Sequence, residues 1–135
     1  MSTGSGVDNG PVVSMRRTLP LDFPDLWRQV TRPELISMWF EPCHAEPDGR
    51  YSLRFTEDSG QPYVKYATVL NCREGAYRFR LEDEGYPDST VVVRAYRDGD
   101  RSVLELDHVD PPAELLDGYR TGWADYLDSL ERHVT

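Results

Sequence analysis

RTLPLDFPDLWRQVTRPELISMWFEP, residues 17–42, joins the end of a strand to two short helices and carries two tryptophans, Trp27 and Trp39. Asp22 is placed to cap the first helix; Pro24 in its opening turn needs no amide hydrogen, and Asp25 suits the positive helix end. Leu26, Trp27 and Val30 then share one face at helical spacing. Thr31 is read as the cap of the second helix, which has Pro33 and Glu34 in its first turn, turns Leu35, Trp39 and Phe40 to one side, and is stopped by Pro42. Two helices inserted after a first strand close one end of a sheet and point to a fold that encloses a pocket.

Upstream, Val13, Met15, Arg17 and Leu19 alternate with Val12, Ser14, Arg16 and Thr18, the period of a strand in which Arg17 shares a face with core residues. Downstream, strands are expected over about residues 43–46, 50–56, 62–72, 76–82, 89–97 and 101–109. They are separated by Pro47-Asp48-Gly49, Asp58-Ser59-Gly60, Glu74-Gly75, Gly85-Tyr86-Pro87-Asp88 and Asp98-Gly99-Asp100. Such short connections make an antiparallel meander.

Alternation assigns the faces. Tyr51, Leu53 and Phe55 point in, as do Tyr77, Phe79 and Leu81, then Val91, Val93 and Ala95, and finally Leu104, Leu106 and His108. On the strand around residue 65, Val64, Tyr66, Leu70 and Cys72 are expected to point in, and Lys65 and Asn71 out; a single bulge would reverse part of it. After Asp110-Pro111-Pro112, read as a cap with early prolines, Leu115, Tyr119, Trp123, Tyr126, Leu127, Leu130 and Val134 recur at spacings of three and four. The long helix they describe lies across the apolar face of the sheet, each large side chain contributing about 1.5 to 3 kcal/mol on burial. Gly118 and Gly122 cost this helix about 1 kcal/mol each relative to alanine. Two readings stand for them: close packing on a strand or loop, or room for a ligand beside Tyr119 and Trp123.

The stretch from Arg17 to Pro42 resembles, without a gap, the opening of the family related to the activator of heat-shock-protein-90 ATPase, in the START-like, or SRPBCC, superfamily. The matching positions are Arg17, Leu19, Leu26, Trp27, Thr31, Pro33, Leu35, Trp39, Phe40 and Pro42; the family's usual Ala-Pro is Leu21-Asp22 here. Gly49-Arg50-Tyr51, Ala67 to Leu70, Leu104 to His108 and Gly122-Trp123 through Leu130 fall where the family has comparable segments, so nearly the whole chain is covered. The resemblance implies an α+β helix-grip fold, a curved antiparallel sheet of about six to seven strands wrapped around a long C-terminal helix. It also implies a choice of roles, since the superfamily includes chaperone activators, lipid carriers and cyclases.

The 135 residues suit one domain with a real core, residues 11–135, preceded by a mobile tail, MSTGSGVDNG, too polar to offset its ordering entropy. There is no apolar run of membrane-helix length and no secretory signal, so a soluble cytoplasmic protein is expected. A net charge of −9 with scattered arginines argues against nucleic acid and anionic lipid as partners. Monomer and dimer are both left open. Cys43 and Cys72 are expected to be reduced thiols. Neither they nor His44 and His108 have the spacing of a metal site, and no glycine loop for phosphate occurs, so no metal or cofactor is expected.

A sheet wrapped around one helix has more inner surface than the helix covers, and a cavity follows. The candidate lining groups are Trp39 and Phe40 from the second helix, Leu53, Phe55 and Tyr66 from the first half of the sheet, Tyr77, Phe79, Val93, Leu106 and His108 from the second, and Tyr119 and Trp123 from the long helix. Each also reads as core filling. Arg17, Tyr66 and His108 stand apart, because a polar group on an inner face needs a partner, whether ligand or protein. Asp107 and His108 point to opposite faces and form no dyad, and Glu82, Asp83 and Glu84 are read as solvated charges in a turn. The leading reading is a non-catalytic binding domain for a small hydrophobic or aromatic ligand. The alternatives are a co-chaperone-like domain that meets a chaperone or another protein, and cyclase- or hydratase-like chemistry with His108 or Tyr66 moving the proton.

Overall fold

The alternating segments and their glycine turns fold as seven strands: β1 (Val12–Leu19), β2 (Cys43–Ala45), β3 (Tyr51–Thr56), β4 (Pro62–Arg73), β5 (Ala76–Glu82), β6 (Ser89–Asp98) and β7 (Arg101–Val109). Helices α1 (Phe23–Thr31) and α2 (Pro33–Trp39) stand between β1 and β2, and α3 (Leu116–Val134) ends the chain. These come from a computed structural model that describes residues 11–135; the expected tail, residues 1–10, lies outside the described residues. The expected strands are found to within a residue or two.

One curved antiparallel sheet results, in the order β1-β7-β6-β5-β4-β3-β2. Strands β2 to β7 follow one another as hairpins. Strands β1 and β2, although consecutive, lie at opposite edges, so α1 and α2 carry the chain from one edge of the sheet to the other. Glu74-Gly75 is a two-residue turn: Gly75 has φ +91°, and a Cβ there would stand 3.3 Å from the Ala95 carbonyl oxygen, which leaves the position to glycine.

Local signals at the helix ends are partly redrawn. Asp22 caps α1 as expected, its Oδ1 accepting from the Asp25 N–H. Thr31 is not the cap of α2: it closes α1, donating its hydroxyl to the Trp27 carbonyl at 2.6 Å, and Arg32 is the extended residue before Pro33. Proline excludes the helical conformation from the residue before it, so the break falls on Arg32. Asp110 is not a cap either. It takes φ +56°, and a 3-10 turn, Ala113–Leu115, leads into α3.

The core lies where β1, β6 and β7 meet α1 and the C-terminal half of α3. Leu19, Leu26, Val91, Leu127 and Leu130 are fully buried, and Val13, Leu104 and Leu106 nearly so. Trp123 is only 8% exposed, so the stripe of α3 is gripped by the sheet. The opposite face of the sheet carries the arginines: Arg94 reaches Glu105 at 3.3 Å and Asp107 at 2.7 Å, and Arg50 reaches Asp48 at 2.9 Å. Among the described residues no helix is long and apolar enough to cross a membrane.

Candidate functional site

Strand β4 is apolar on both faces, so its orientation is settled by register. Leu53 pairs with Lys65, and Ala67 with Leu81; Leu53 and Leu81 point in, and Lys65 and Ala67 therefore do too. This reverses the expectation for Val64, Tyr66 and Leu70. Lys65 is 8% exposed, whereas Val64 and Leu70 are 38% and 41% exposed. Tyr66 is on the outer face, with the Arg50 guanidinium 4.0 Å above its ring. An irregularity between Val69 and Asn71 restores the expected parity, and Cys72 stands opposite the inward Tyr77.

Between the inner faces of β3 to β5 and the N-terminal half of α3 is a cleft of about 1180 Å³, partly open to solvent. Gly118, Tyr119, Gly122, Trp123 and Tyr126, one face of α3, border it, together with Leu115 of the 3-10 turn before the helix. Trp39 and Phe40 from α2 and Leu53, Phe55, Tyr77 and Phe79 from the sheet also border it, with Val93 and Leu106 at its base. Phe40, the residue that ends α2, organises the aromatic wall: its ring is stacked on Trp123 at 5.7 Å, 4.3 Å from Tyr126 and edge-on to Phe55 at 5.8 Å.

The polar groups on this wall are paired. The Tyr77 hydroxyl donates to the Val30 carbonyl at 2.6 Å, and the Tyr126 hydroxyl to Glu41 Oε2 at 2.5 Å. Burial is the main reason both phenols are held above the usual tyrosine range, and Glu41 adds to it at Tyr126. Burial also pushes the Cys43 thiol up to about 11, so it is not a thiolate at neutral pH. Lys65 Nζ lies 3.1 Å from Tyr119 Oη and 3.4 Å from Asp83 Oδ2. Burial lowers the Lys65 pKa, and the Asp83 charge opposes that shift. Burial and then Asp83 raise that of Tyr119. Asp83 was expected to be a solvated turn charge; instead its side chain is 17% exposed and pairs with Lys65.

Besides the outward-facing Tyr66, two residues expected at the pocket, Arg17 and His108, depart from expectation: neither borders the cleft. Arg17 shares the inner face of β1 as expected but forms an ion pair with Asp128 of α3 at 3.1 Å, tying the helix to the edge strand. His108 is fully buried behind the wall, with the Tyr119 ring 4.4 Å from its own. Its Nδ1 accepts the Trp123 indole N–H at 3.0 Å. Indole can only donate, so Nδ1 carries no proton, and Nε2–H donates to Ser89 Oγ at 2.7 Å. Burial, with a smaller effect of Lys65, drives the His108 pKa down to about 4. It is a neutral structural imidazole with both nitrogens engaged.

Lys65, Asp83 and Tyr126 were not singled out from sequence. Lys65 is the sole lysine of the chain, but Tyr63, Lys65, Ala67 and Val69 alternate with Val64, Tyr66, Thr68 and Leu70, and such a pattern does not say which set faces in. Among the described residues no three His, Cys, Asp or Glu stand together as metal ligands.

The family described as "Activator of Hsp90 ATPase homolog 1-like protein" matches residues 22–135. Among curated proteins none matches the chain. The fold is shared by many solved structures, among them the three that follow. CalU16 from Micromonospora echinospora aligns with a TM-score of 0.78 and 24% identity, over 92% of this chain and 76% of that one. DynU16, whose structure is described with the dynemicin biosynthetic locus, aligns with 0.75 and 18%, over 90% of this chain and 46% of that one. The Aha1 dimer from Colwellia psychrerythraea aligns with 0.72 and 10%, over 92% and 96%. At these identities the likeness is one of fold alone.

Proposed function

The chain belongs to the activator of Hsp90 ATPase homolog 1-like family, and from that premise we propose that it is a binding domain that holds a small apolar or aromatic molecule between its sheet and α3 and performs no chemistry of its own. The observation that carries this reading is the pair Gly118 and Gly122. Both lie on the cleft face of α3, and a Cβ built on either meets nothing within 4 Å. Close packing does not account for them. Two glycines that weaken a helix without bringing another element closer leave open volume between Leu115, Tyr119, Trp123 and Tyr126, a volume walled by aromatic rings suited to a flat apolar guest.

The state of His108 supports binding over catalysis. Its nitrogens are occupied by Trp123 and Ser89, and the Tyr66 ring lies under Arg50 on the outer face of the sheet, so neither residue expected to move a proton presents a free group to the aromatic inner wall. The dynemicin-locus context of DynU16 belongs to that protein; it agrees with a small-molecule partner for a domain of this fold.

The test is thermal unfolding across a panel of uncharged aromatic compounds. A ligand at about 100 times its Kd stabilises the fold by about 2.7 kcal/mol, and the stabilisation grows with concentration. Gly122→Leu, which fills the cleft from the helix side, should leave the fold intact and abolish that response. No stabilisation of the wild type by any compound would count against the reading, and so would a full response retained in Gly122→Leu.

A further inference from the structure

Lys65 is the one cationic side chain that borders the cleft among the described residues, and it is held there by unusual company. Its ammonium lies 4.9 Å from the ring centroid of Phe55, 4.7 Å from that of Tyr119 and 5.8 Å from that of Tyr63. Rings alone do not replace the water an ammonium gives up on burial; Asp83 and the Tyr119 hydroxyl supply the rest. An ammonium has three N–H donors. One goes to Tyr119 Oη, whose own hydroxyl donates to Asp83 Oδ2; Asp83 Oδ2 also stands 3.4 Å from the ammonium as its ion-pair partner, and among the described residues the ammonium has no further oxygen or nitrogen acceptor.

The charge around this donor decides what it accepts. Asp83 neutralises Lys65 locally, Glu57 and Glu84 border the same cleft, and the chain as a whole carries −9. A carboxylate, sulfonate or phosphate would meet more negative than positive charge on entering. An uncharged oxygen would not, and it gains a charge-assisted hydrogen bond in a setting of low polarity. Phe55, Tyr63 and Tyr119 surround that point with flat apolar surface, which orders an aromatic ring next to the oxygen.

We propose that Lys65 determines the specificity of the cleft, selecting uncharged aromatic molecules that carry a carbonyl or hydroxyl oxygen over hydrocarbons and over anions, a proposal that rests on the ligand-binding reading of the same cleft. Asp83 and Tyr119 act as positioning residues that hold the ammonium beside the rings.

The experiment is fluorescence titration of the full chain with three dyes: prodan, an uncharged naphthalene ketone; N-phenylnaphthylamine, uncharged and without oxygen; and anilinonaphthalene sulfonate, an anion. The wild type should bind prodan most tightly and the sulfonate least. Lys65→Met should weaken prodan about tenfold and change N-phenylnaphthylamine by less than about twofold. Equal losses for the two uncharged dyes, no loss for prodan, or preference of the wild type for the sulfonate would overturn the role of Lys65 while leaving the cleft a binding site. Failure of all three dyes to bind the wild type would overturn the binding reading itself and this one with it. Circular dichroism checks the fold. If Lys65→Met does not fold, Lys65→Met/Asp83→Asn, which leaves no lone buried charge, takes its place with the same expected ratio between the dyes.

Discussion

Helix α3 walls two interiors that differ in kind. Toward its C-terminal half, Leu127 and Leu130 are fully buried against Val13, Leu19 and Leu104, and the space between helix and sheet is filled. Toward its N-terminal half the same face presents Gly118 and Gly122 beside half-buried Tyr119 and Tyr126 and buried Trp123, and the space is open. The difference teaches that a helix gripped by a sheet seals it only where each turn supplies a branched aliphatic side chain. Where glycine alternates with tyrosine and tryptophan, the rings form walls with a gap between them. His108 marks the border: it is fully buried, and its hydrogen bond from Trp123 ties an aromatic ring of the open side to the closed one.

The largest expected effect sets the two halves against each other. Leu130→Ala removes a fully buried side chain from the filled half and should lower stability by about 2 to 5 kcal/mol, whereas Phe55→Ala, at the open cleft, should cost less than half as much. Urea unfolding of both variants measures this; equal losses would erase the distinction.

The border residue comes next. His108 takes up a proton only near pH 4 in the folded chain, against about 6.5 when unfolded, so between these values the unfolded state binds more protons. Stability should be complete above pH 6.5, fall as the pH drops toward 4, and lose up to about 3 kcal/mol from this group. In His108→Gln the part of the pH dependence between 4 and 6.5 should flatten. An unchanged slope would remove His108 from the sealed side of the comparison.

A smaller effect of opposite sign sharpens the contrast from the open side. Gly118→Ala should raise stability by about 0.5 to 1 kcal/mol, since the added methyl meets nothing within 4 Å and helix propensity improves. A loss instead would mean that the helix face at Gly118 is packed. The smallest effect concerns the tie at the edge strand: the Arg17 to Asp128 pair is partly exposed, and Arg17→Ala should cost less than about 1 kcal/mol by the same urea assay, with salt reducing the difference.

Much of the fold was legible because its signals are local. The strand bounds, the turn glycines, the Asp22 cap and the stripe of α3 follow from alternation, from the conformations open to glycine and aspartate, and from helical spacing. Of the aromatic residues expected on inner faces, Trp39, Phe40, Phe55, Tyr77, Phe79, Tyr119 and Trp123 border the cleft, and its role as a binding site is part of the proposal. What local signals left undecided was which partner an inward polar group would find, and two helix caps fell elsewhere than expected. Arg17 and His108 were polar groups on inner faces whose partners, Asp128 for one and Trp123 with Ser89 for the other, lie on other elements. Thr31 and Asp110 carry cap-forming side chains, but the proline after Arg32 and the left-handed turn at Asp110 moved the helix starts.

Sequence by itself determined the α+β class, the order of the strands along the chain and the face of α3 that is buried, because each depends on residues within a turn or two of one another. Only the tertiary structure decided that Lys65 faces inward and Tyr66 outward. Both faces of β4 are apolar enough to be buried, so the choice rests on pairing with Leu53 and Leu81 on the neighbouring strands and on a hydroxyl 54 residues away, that of Tyr119. Register is a long-range property, and one residue of slip exchanges the two faces.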